Sequence, residues 1–267
     1  MSAGTLPRLV ATDLDGTLLN SSRAITPRTR EALQAARAAG AEIVFVTARP
    51  PRGIRAIAEQ AGVTGVAICS NGAIVYDLAT DEVVTSHLLD RTAANKVAQA
   101  LAAALPGVGL AVETGRGVLA EAAYTRRIVE DLAYLREVSS VFDGDDPIIK
   151  LLAQSQTSTA DEMIAAVMAG IEGLAEVTHS GGTGLLEISA AGVTKASTLD
   201  VLCRGRGIAP GEVVAFGDMP NDLAVLAYAG AGYAMANAHH LVLAAVERRT
   251  LSNDEDGVAA VLEELYG

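Results

Sequence analysis

Asp13 and Asp15 flank a leucine directly after the apolar run Leu9-Val10-Ala11-Thr12, and Gly16 and Thr17 follow them. Further oxygen-bearing side chains end other apolar runs. Thr47 follows Ile43-Val44-Phe45-Val46, Ser70 and Asn71 follow Val66-Ala67-Ile68-Cys69, and Asp218, Asn221 and Asp222 come after Val213-Val214-Ala215-Phe216. If these runs are parallel strands, their carboxyl ends make one rim, which is where open α/β sheets bind ligands. Aspartates gathered there repel one another unless a cation keeps them all ionised. Carboxylate, hydroxyl and amide oxygens suit Mg²⁺, which takes one or two carboxylates and keeps several waters.

Lys195 stands in Gly192-Val193-Thr194-Lys195, ahead of Leu199 and Leu202 at helical spacing. It therefore falls in the first turn of a helix, where the backbone dipole and the ammonium both attract an anion. Transfer of a phosphoryl group needs an in-line nucleophile, neutralised equatorial oxygens and a proton for the leaving oxygen. Asp13 is the candidate nucleophile, able to form an aspartyl phosphate. Asp15, two residues on, is placed to act as acid toward the leaving group and then as base toward water. Mg²⁺, Lys195 and the Thr47 hydroxyl would hold the oxygens.

The elements that must position these groups follow a regular order. Thr26-Pro27 supplies an N-cap and a proline in the first turn, Ala32, Leu33, Ala36 and Ala39 recur at helical spacing, and Gly40 ends the helix. The strand before Thr47, a helix marked by Ile54, Ile57, Ala58 and Ala61 and closed by Gly62, and the strand before Ser70 continue the alternation. It returns near the end as a strand at 213–216, a helix at 222–229, a strand at Tyr233-Ala234-Met235 and a helix at 257–265. Such βαβ grammar predicts a parallel sheet. Between the two stretches, short strands at 109–113 and 118–121 face each other across Gly115-Arg116-Gly117, a hairpin pattern. Helices at 93–105 and 160–168 and strands at 148–153, 175–179 and 185–188 complete an α+β insertion.

Composition agrees with this layout. The chain has 267 residues, enough for a core domain and a second unit, and 50% apolar with only 3% aromatic residues suits a buried parallel sheet filled by Ala, Val, Leu and Ile. Twenty Lys+Arg against 32 Asp+Glu give a net charge of -12, which disfavours nucleic acid as a partner. Cys69 and Cys203 form no CxxC pattern and are expected to be reduced and buried. The start of the chain lacks a signal-peptide pattern, and no apolar run reaches the roughly 18 residues of a membrane span, so a soluble cytoplasmic protein is expected.

Over nearly its whole length the chain resembles the haloacid dehalogenase superfamily of phosphatases, in the Cof-type branch with a large inserted C2-type cap. Asp13-Leu14-Asp15-Gly16-Thr17-Leu18 is similar to the family's first motif, Val46-Thr47-Ala48-Arg49-Pro50 to the second, Lys195 to the third and Gly217-Asp218-Met219-Pro220-Asn221-Asp222 to the fourth. Ser70-Asn71-Gly72 and Ser252-Asn253-Asp254-Glu255-Asp256-Gly257 resemble two accessory signatures of the branch. Ala48, Ala196 and Ala236 depart from the pattern, standing where glycine is usual.

The resemblance implies a Rossmann-like three-layer α/β core from residues 1–82 and 190–267, with an α+β cap at 83–189. It implies Asp13 as nucleophile and metal ligand, Asp15 as acid/base with its carbonyl on the metal, and Asp218 as the third ligand to Mg²⁺. Thr47, Lys195 and Asn221 would bind phosphate, with Asn221 and Asp222 also supporting the metal waters and Lys195. Arg49, directly after the second motif, and Asn71 are candidates to contact the substrate. The expected activity is Mg²⁺-dependent hydrolysis of small phosphorylated metabolites such as sugar phosphates. A phosphomutase on the same scaffold and a non-catalytic sensor of phosphorylated ligands are the alternatives. Other local patterns read as structural: Asp143-Gly144-Asp145-Asp146 as a solvated turn, Gly181-Gly182-Thr183-Gly184 as a hairpin and His239-His240 as a helix start.

Overall fold

The computed structural model describes residues 6–125, 129–181 and 184–267, so the first five residues, and Gly182 and Thr183 of the glycine-rich stretch, lie outside the described residues. The chain divides into two compact units, one running to Thr85 and resuming at Lys195–Gly267, the other spanning Ser86–Thr194.

The first unit opens with β1 (Leu9–Thr12), α1 (Pro27–Ala38), β2 (Glu42–Val46), α2 (Arg55–Ala61), β3 (Val66–Cys69), β4 (Ile74–Asp77) and β5 (Glu82–Ser86). The β1 run is wholly buried, which is why it shows no polar alternation. Thr26 caps α1 by accepting the Thr29 N–H at 3.1 Å, and Gly62 ends α2 in the left-handed conformation at φ 65°. The pair β4 and β5 is absent from the sequence reading. Every residue of β5 is exposed, so no inside-outside pattern marks it.

The second unit comprises α3 (Arg91–Ala104), β6 (Gly109–Glu113), β7 (Val118–Ala120), β8 (Leu135–Glu137), β9 (Lys150–Gln154), α4 (Ala160–Ile171), β10 (Ala175–Thr178) and β11 (Leu185–Ala190). Its six strands lie in the order β10-β11-β9-β6-β7-β8. Pairing is antiparallel except between β7 and β8. One face, with Val112, Leu151 and Ile188, packs on Val97 and Leu101 of α3 and Met163 of α4. The alternate positions point to the other face, where Ala111, Leu152 and Leu185 surround Tyr124. Helix α4 starts with a capping box, Thr159 N–H to Glu162 Oε2 at 2.8 Å and Glu162 N–H to Thr159 Oγ1 at 3.3 Å.

The chain returns to the first unit with α5 (Lys195–Gly205), β12 (Val213–Gly217), α6 (Leu223–Tyr228), β13 (Ala231–Ala234), α7 (His240–Ala245) and α8 (Gly257–Tyr266). The sheet order is β13-β12-β1-β2-β3-β4-β5. The pairs β13/β12, β12/β1, β1/β2 and β2/β3 are parallel, and β4 turns back antiparallel on β3. From β1 the chain winds one way to β2 and β3, then resumes on the opposite side of β1 with β12. Right-handed crossovers in opposite directions put the two groups of helices on opposite faces, which is the α/β sandwich expected. Helix α1 packs on α2 and α8 in one group, and α5 packs on α6 in the other. The winding reverses between β1 and β12, so their carboxyl ends open a crevice. Cys69 and Cys203 are free thiols and both are buried.

Candidate active site

The carboxyl ends of β1 and β12 bring Asp13 and Asp218 together across 205 residues of sequence, and Asp222 joins them from the turn that follows β12. Oxygen atoms of Asp13, Asp218 and Asp222 all lie within 4.8 Å of one another, and all three residues are buried. Two glycines make this approach possible. A Cβ on Gly16, whose φ is +78°, would sit 2.3 Å from Asp218 Oδ2, and one on Gly217 would sit 2.4 Å from Asp222 Cβ.

Lys195, the first residue of α5, reaches into this cluster with its side chain 1% exposed. Its Nζ donates to Asp13 Oδ1 at 2.7 Å and to Asp222 Oδ1 at 2.8 Å. Burial alone would lower the Lys195 pKa, but the neighbouring charges of Asp13 and Asp222 outweigh it and hold the group above its ordinary value. The other oxygen of Asp222 accepts the backbone N–H groups of Asp218 at 3.1 Å and Met219 at 3.0 Å. Asp222 is thus committed to Lys195 and to its own turn, and Asp13 and Asp218 are the carboxylates left to face a ligand.

Burial pushes the Asp13 carboxyl well above its ordinary value; Lys195 opposes this, and the charges of Asp222 and Asp218 add to it. Asp218 is pushed up to about 7, by burial first and then by Asp222, against the hydrogen bond that Thr17 Oγ1 donates to its Oδ1 at 2.9 Å. Both carboxyls therefore favour positive charge beyond what Lys195 supplies. An all-oxygen donor set that gains from added positive charge fits a hard cation such as Mg²⁺.

Asp15 lies beside the cluster and points elsewhere. Its two carboxylate oxygens accept Arg49 Nε and Nη2, each at 2.6 Å, so Arg49 meets Asp15 in this structure. Thr47, at the end of β2, is 1% exposed, and its Oγ1 accepts the Arg49 N–H at 3.1 Å. That leaves the hydroxyl proton for an outside acceptor. Ser70 and Asn71 follow β3 with φ of 50° and 59°, two successive non-glycine residues in the left-handed region. Strain of this kind persists only where surrounding contacts impose it. Here the N–H of Ser70 bonds Arg49 O at 2.9 Å and that of Asn71 bonds Thr47 O at 3.0 Å. Asn71 Oδ1 also accepts Asn221 Nδ2 at 3.0 Å, while Asn221 Oδ1 is buried with no hydrogen-bond partner among the described residues.

Asp13, Asp15, Thr47, Arg49, Asn71, Asp218, Asn221 and Asp222 thus stand at the carboxyl end of the first unit's sheet or in the turns leading from it, and Lys195 reaches them from the start of α5. Thr17, inside the first motif, had no role assigned to it, and Asn237, which donates to Gly16 O at 2.8 Å, carries no local signal at all. His239 caps α7 through its ring nitrogen, as a helix-start residue would.

A family model described as haloacid dehalogenase-like hydrolase matches residues 10–262. The Bacillus subtilis (strain 168) phosphatase YwpJ is 29% identical over 287 aligned positions, with 97% of this chain and 99% of that protein covered. The 5-amino-6-(5-phospho-D-ribitylamino)uracil phosphatase YitU of the same organism is 27% identical, with 98% of each chain covered. Among solved structures, a haloacid dehalogenase-like hydrolase from Bacteroides thetaiotaomicron superposes with a TM-score of 0.78 at 28% identity, covering 97% of this chain and 100% of that one.

Proposed function

The chain belongs to the haloacid dehalogenase-like hydrolase family, and on that premise we propose that this phosphatase cleaves small phosphate monoesters through a covalent intermediate on Asp13. The observation that carries the reading is the Lys195 ammonium bridging Asp13 and Asp222 at 2.7 and 2.8 Å beside Asp218. It combines a fixed carboxylate nucleophile with a fixed positive charge and a cation-seeking acidic pair.

In this mechanism Lys195 holds Asp13 Oδ1 and so aims the carboxylate at phosphorus. Attack by Asp13 forms the Asp13–phosphorus bond as the phosphorus–oxygen bond to the leaving alcohol breaks. Lys195 and the Thr47 hydroxyl donate to the phosphoryl oxygens, where negative charge concentrates. Asp15, protonated once it leaves the Arg49 fork, turns to give that proton to the leaving oxygen. It then takes a proton from the water that attacks the aspartyl phosphate, which releases inorganic phosphate and restores Asp13. Asp13, Asp218 and the Asp15 carbonyl would hold Mg²⁺, which supplies Lewis-acid neutralisation of the phosphoryl group. Asn221 presents a carbonyl oxygen, an acceptor that a phosphate oxygen cannot use. It is therefore suited to a water on the cation, the supporting role expected for it beside a phosphate contact.

Support for a small substrate comes from the relative named for a phospho-ribityl compound. A sugar or sugar-alcohol phosphate is the substrate class proposed here. The test is phosphate release across a panel of phosphorylated metabolites with and without Mg²⁺, using wild type and Asp13→Asn. Turnover that needs Mg²⁺ and vanishes in Asp13→Asn is expected; equal turnover by the two proteins overturns the mechanism. Isomerised ester without free phosphate would instead identify a mutase.

A further inference from the structure

The segment Ser252-Asn253-Asp254-Glu255-Asp256-Gly257 has no part in the chemistry above, yet it turns its side chains toward the loop between β1 and α1. Asn253 Nδ2 donates to Leu19 O at 2.9 Å. Asp254 accepts the N–H and hydroxyl of Ser21 at 2.8 and 2.6 Å, and Asp256 accepts the hydroxyls of Thr26 and Thr29 at 2.6 and 3.1 Å. These ties fasten the outer part of the loop. Its inner part, next to the aspartates, is also reached by the side chain of Asn237.

Asn237 Oδ1 accepts the backbone N–H of Asn253 at 3.0 Å, and Asn237 Nδ2 donates to Gly16 O at 2.8 Å. With an acceptor role at one end and a donor role at the other, the amide has only one orientation that satisfies both bonds. The oxygen it holds belongs to the peptide joining Gly16 and Thr17. On one side of that peptide Gly16 lies against Asp218, where even a Cβ would come within 2.3 Å of Oδ2. On the other side the Thr17 hydroxyl donates to Asp218 Oδ1 at 2.9 Å. A tilt of this one peptide plane moves both contacts on the same carboxylate.

We infer that Asn237 is a positioning residue for the cation site: by holding Gly16 O it sets the Gly16–Thr17 peptide, and through it the Thr17 hydroxyl, against Asp218, with Asn253 fixing the amide's orientation. This rests on the proposed reading of Asp218 as a cation ligand. Asn237 is exposed at its outer side, so its bonds compete with water and add little to folding. Its effect is therefore separable from stability. Partners that orient metal ligands typically alter metal affinity by about 10–100-fold when removed.

The experiment is a calorimetric titration of the full chain with MgCl₂. Asn237→Ala and the near-isosteric, uncharged Asn237→Leu should each weaken Mg²⁺ binding about tenfold, while thermal unfolding in EDTA stays close to wild type. Ser21→Ala, which removes the hydroxyl bond to Asp254 and spares the relay, should bind Mg²⁺ as wild type does. In turnover, half-saturation should move to higher Mg²⁺, with kcat recovered at saturation. Wild-type Mg²⁺ affinity in both folded Asn237 variants overturns the inference. Asp218→Asn separates the two readings. If it loses Mg²⁺ while the Asn237 variants keep it, only the positioning role falls; if it also binds Mg²⁺ normally, the cation site itself is elsewhere and both readings fall.

Discussion

Asp15 and Arg49, 34 residues apart, are joined by two hydrogen bonds of 2.6 Å that take both carboxylate oxygens into one guanidinium fork. The pair links the turn after β1 to the turn after β2. Its side chains are 47% and 21% exposed, so water competes for both and the pair adds little to stability. What it does supply is a rest position, which Asp15 leaves to reach the leaving oxygen. A two-point contact fixes the plane of the carboxylate, which a single ammonium cannot do.

Asp15→Asn should therefore lower kcat by the roughly 10²–10⁴ that a well-placed acid/base contributes, while Arg49→Ala and Arg49→Lys, which only release Asp15 from the fork, should keep kcat within about fivefold of wild type. Unfolding free energy should change by less than about 1 kcal/mol. Steady-state kinetics on an aryl phosphate, with urea denaturation alongside, measure the two effects. A loss of kcat in both Arg49 variants as large as that in Asp15→Asn would mean that Asp15 acts from within the fork.

Lys195 differs from Arg49 in being wholly buried, and so do its partners. Removing it leaves Asp13 and Asp222 buried without the cation that bridges them at 2.7 and 2.8 Å. Lys195→Met should destabilise the Mg²⁺-free protein by about 3–5 kcal/mol as well as abolish phosphate release. Urea unfolding in EDTA gives the first number, and a loss below about 1 kcal/mol would show that the carboxylates find another partner.

The raised carboxyl of Asp218 gives stability a pH dependence opposite in sign to that of an ordinary paired aspartate. Its folded pKa of about 7 lies above the ordinary aspartate value of 3.8, so the folded state holds the proton more tightly than the unfolded state does. The contribution is complete below about pH 4 and is lost as pH rises through about 7. In EDTA, thermal stability should fall over that window by more in wild type than in Asp218→Asn. Added Mg²⁺ should raise the unfolding temperature most at the high end, where the carboxylate is charged. Parallel pH profiles for the two proteins in EDTA would remove Asp218 as the source.

Much of this arrangement was legible because local signals and tertiary placement agree. The run ending at Asp13 is apolar because β1 is buried between two strands, and Thr26-Pro27 with Gly40 mark α1 at both ends. Lys195 opens α5, which the apolar spacing after it predicts. Where the reading failed, packing overrode the local pattern. The last strand was expected at Tyr233-Ala234-Met235 but runs over Ala231–Ala234, because Gly232 reads as a loop residue. It is glycine for another reason: a Cβ there would lie 2.2 Å from Leu226 O. The Asp15–Arg49 fork and the reach of Asn237 to Gly16 across 221 residues depend on loop geometry that no spacing encodes.

A second buried lysine makes a sharper test of how charge is tolerated in this fold. Lys150 on β9 is opposite Glu113 on β6, and its Nζ lies 3.5 Å from Glu113 Oε2 and 2.7 Å from Glu187 Oε2 on β11. The three side chains are 3–4% exposed. Burial would lower the Lys150 pKa, yet the charges of Glu187 and Glu113 hold it above its ordinary value. Strand alternation places the group on the face of the second unit's sheet away from α3 and α4, where Ser180 also donates to Glu187. Lys150→Met should destabilise the protein by about 3–5 kcal/mol, since two carboxylates then stay buried without their cation. Replacing all three residues with apolar side chains of similar volume should recover most of that loss, because desolvation of the ions is removed together with their attraction. Urea unfolding of the single and triple variants decides it. A triple variant no more stable than Lys150→Met would show that the charges specify the packing of β6, β9 and β11 rather than merely neutralise one another.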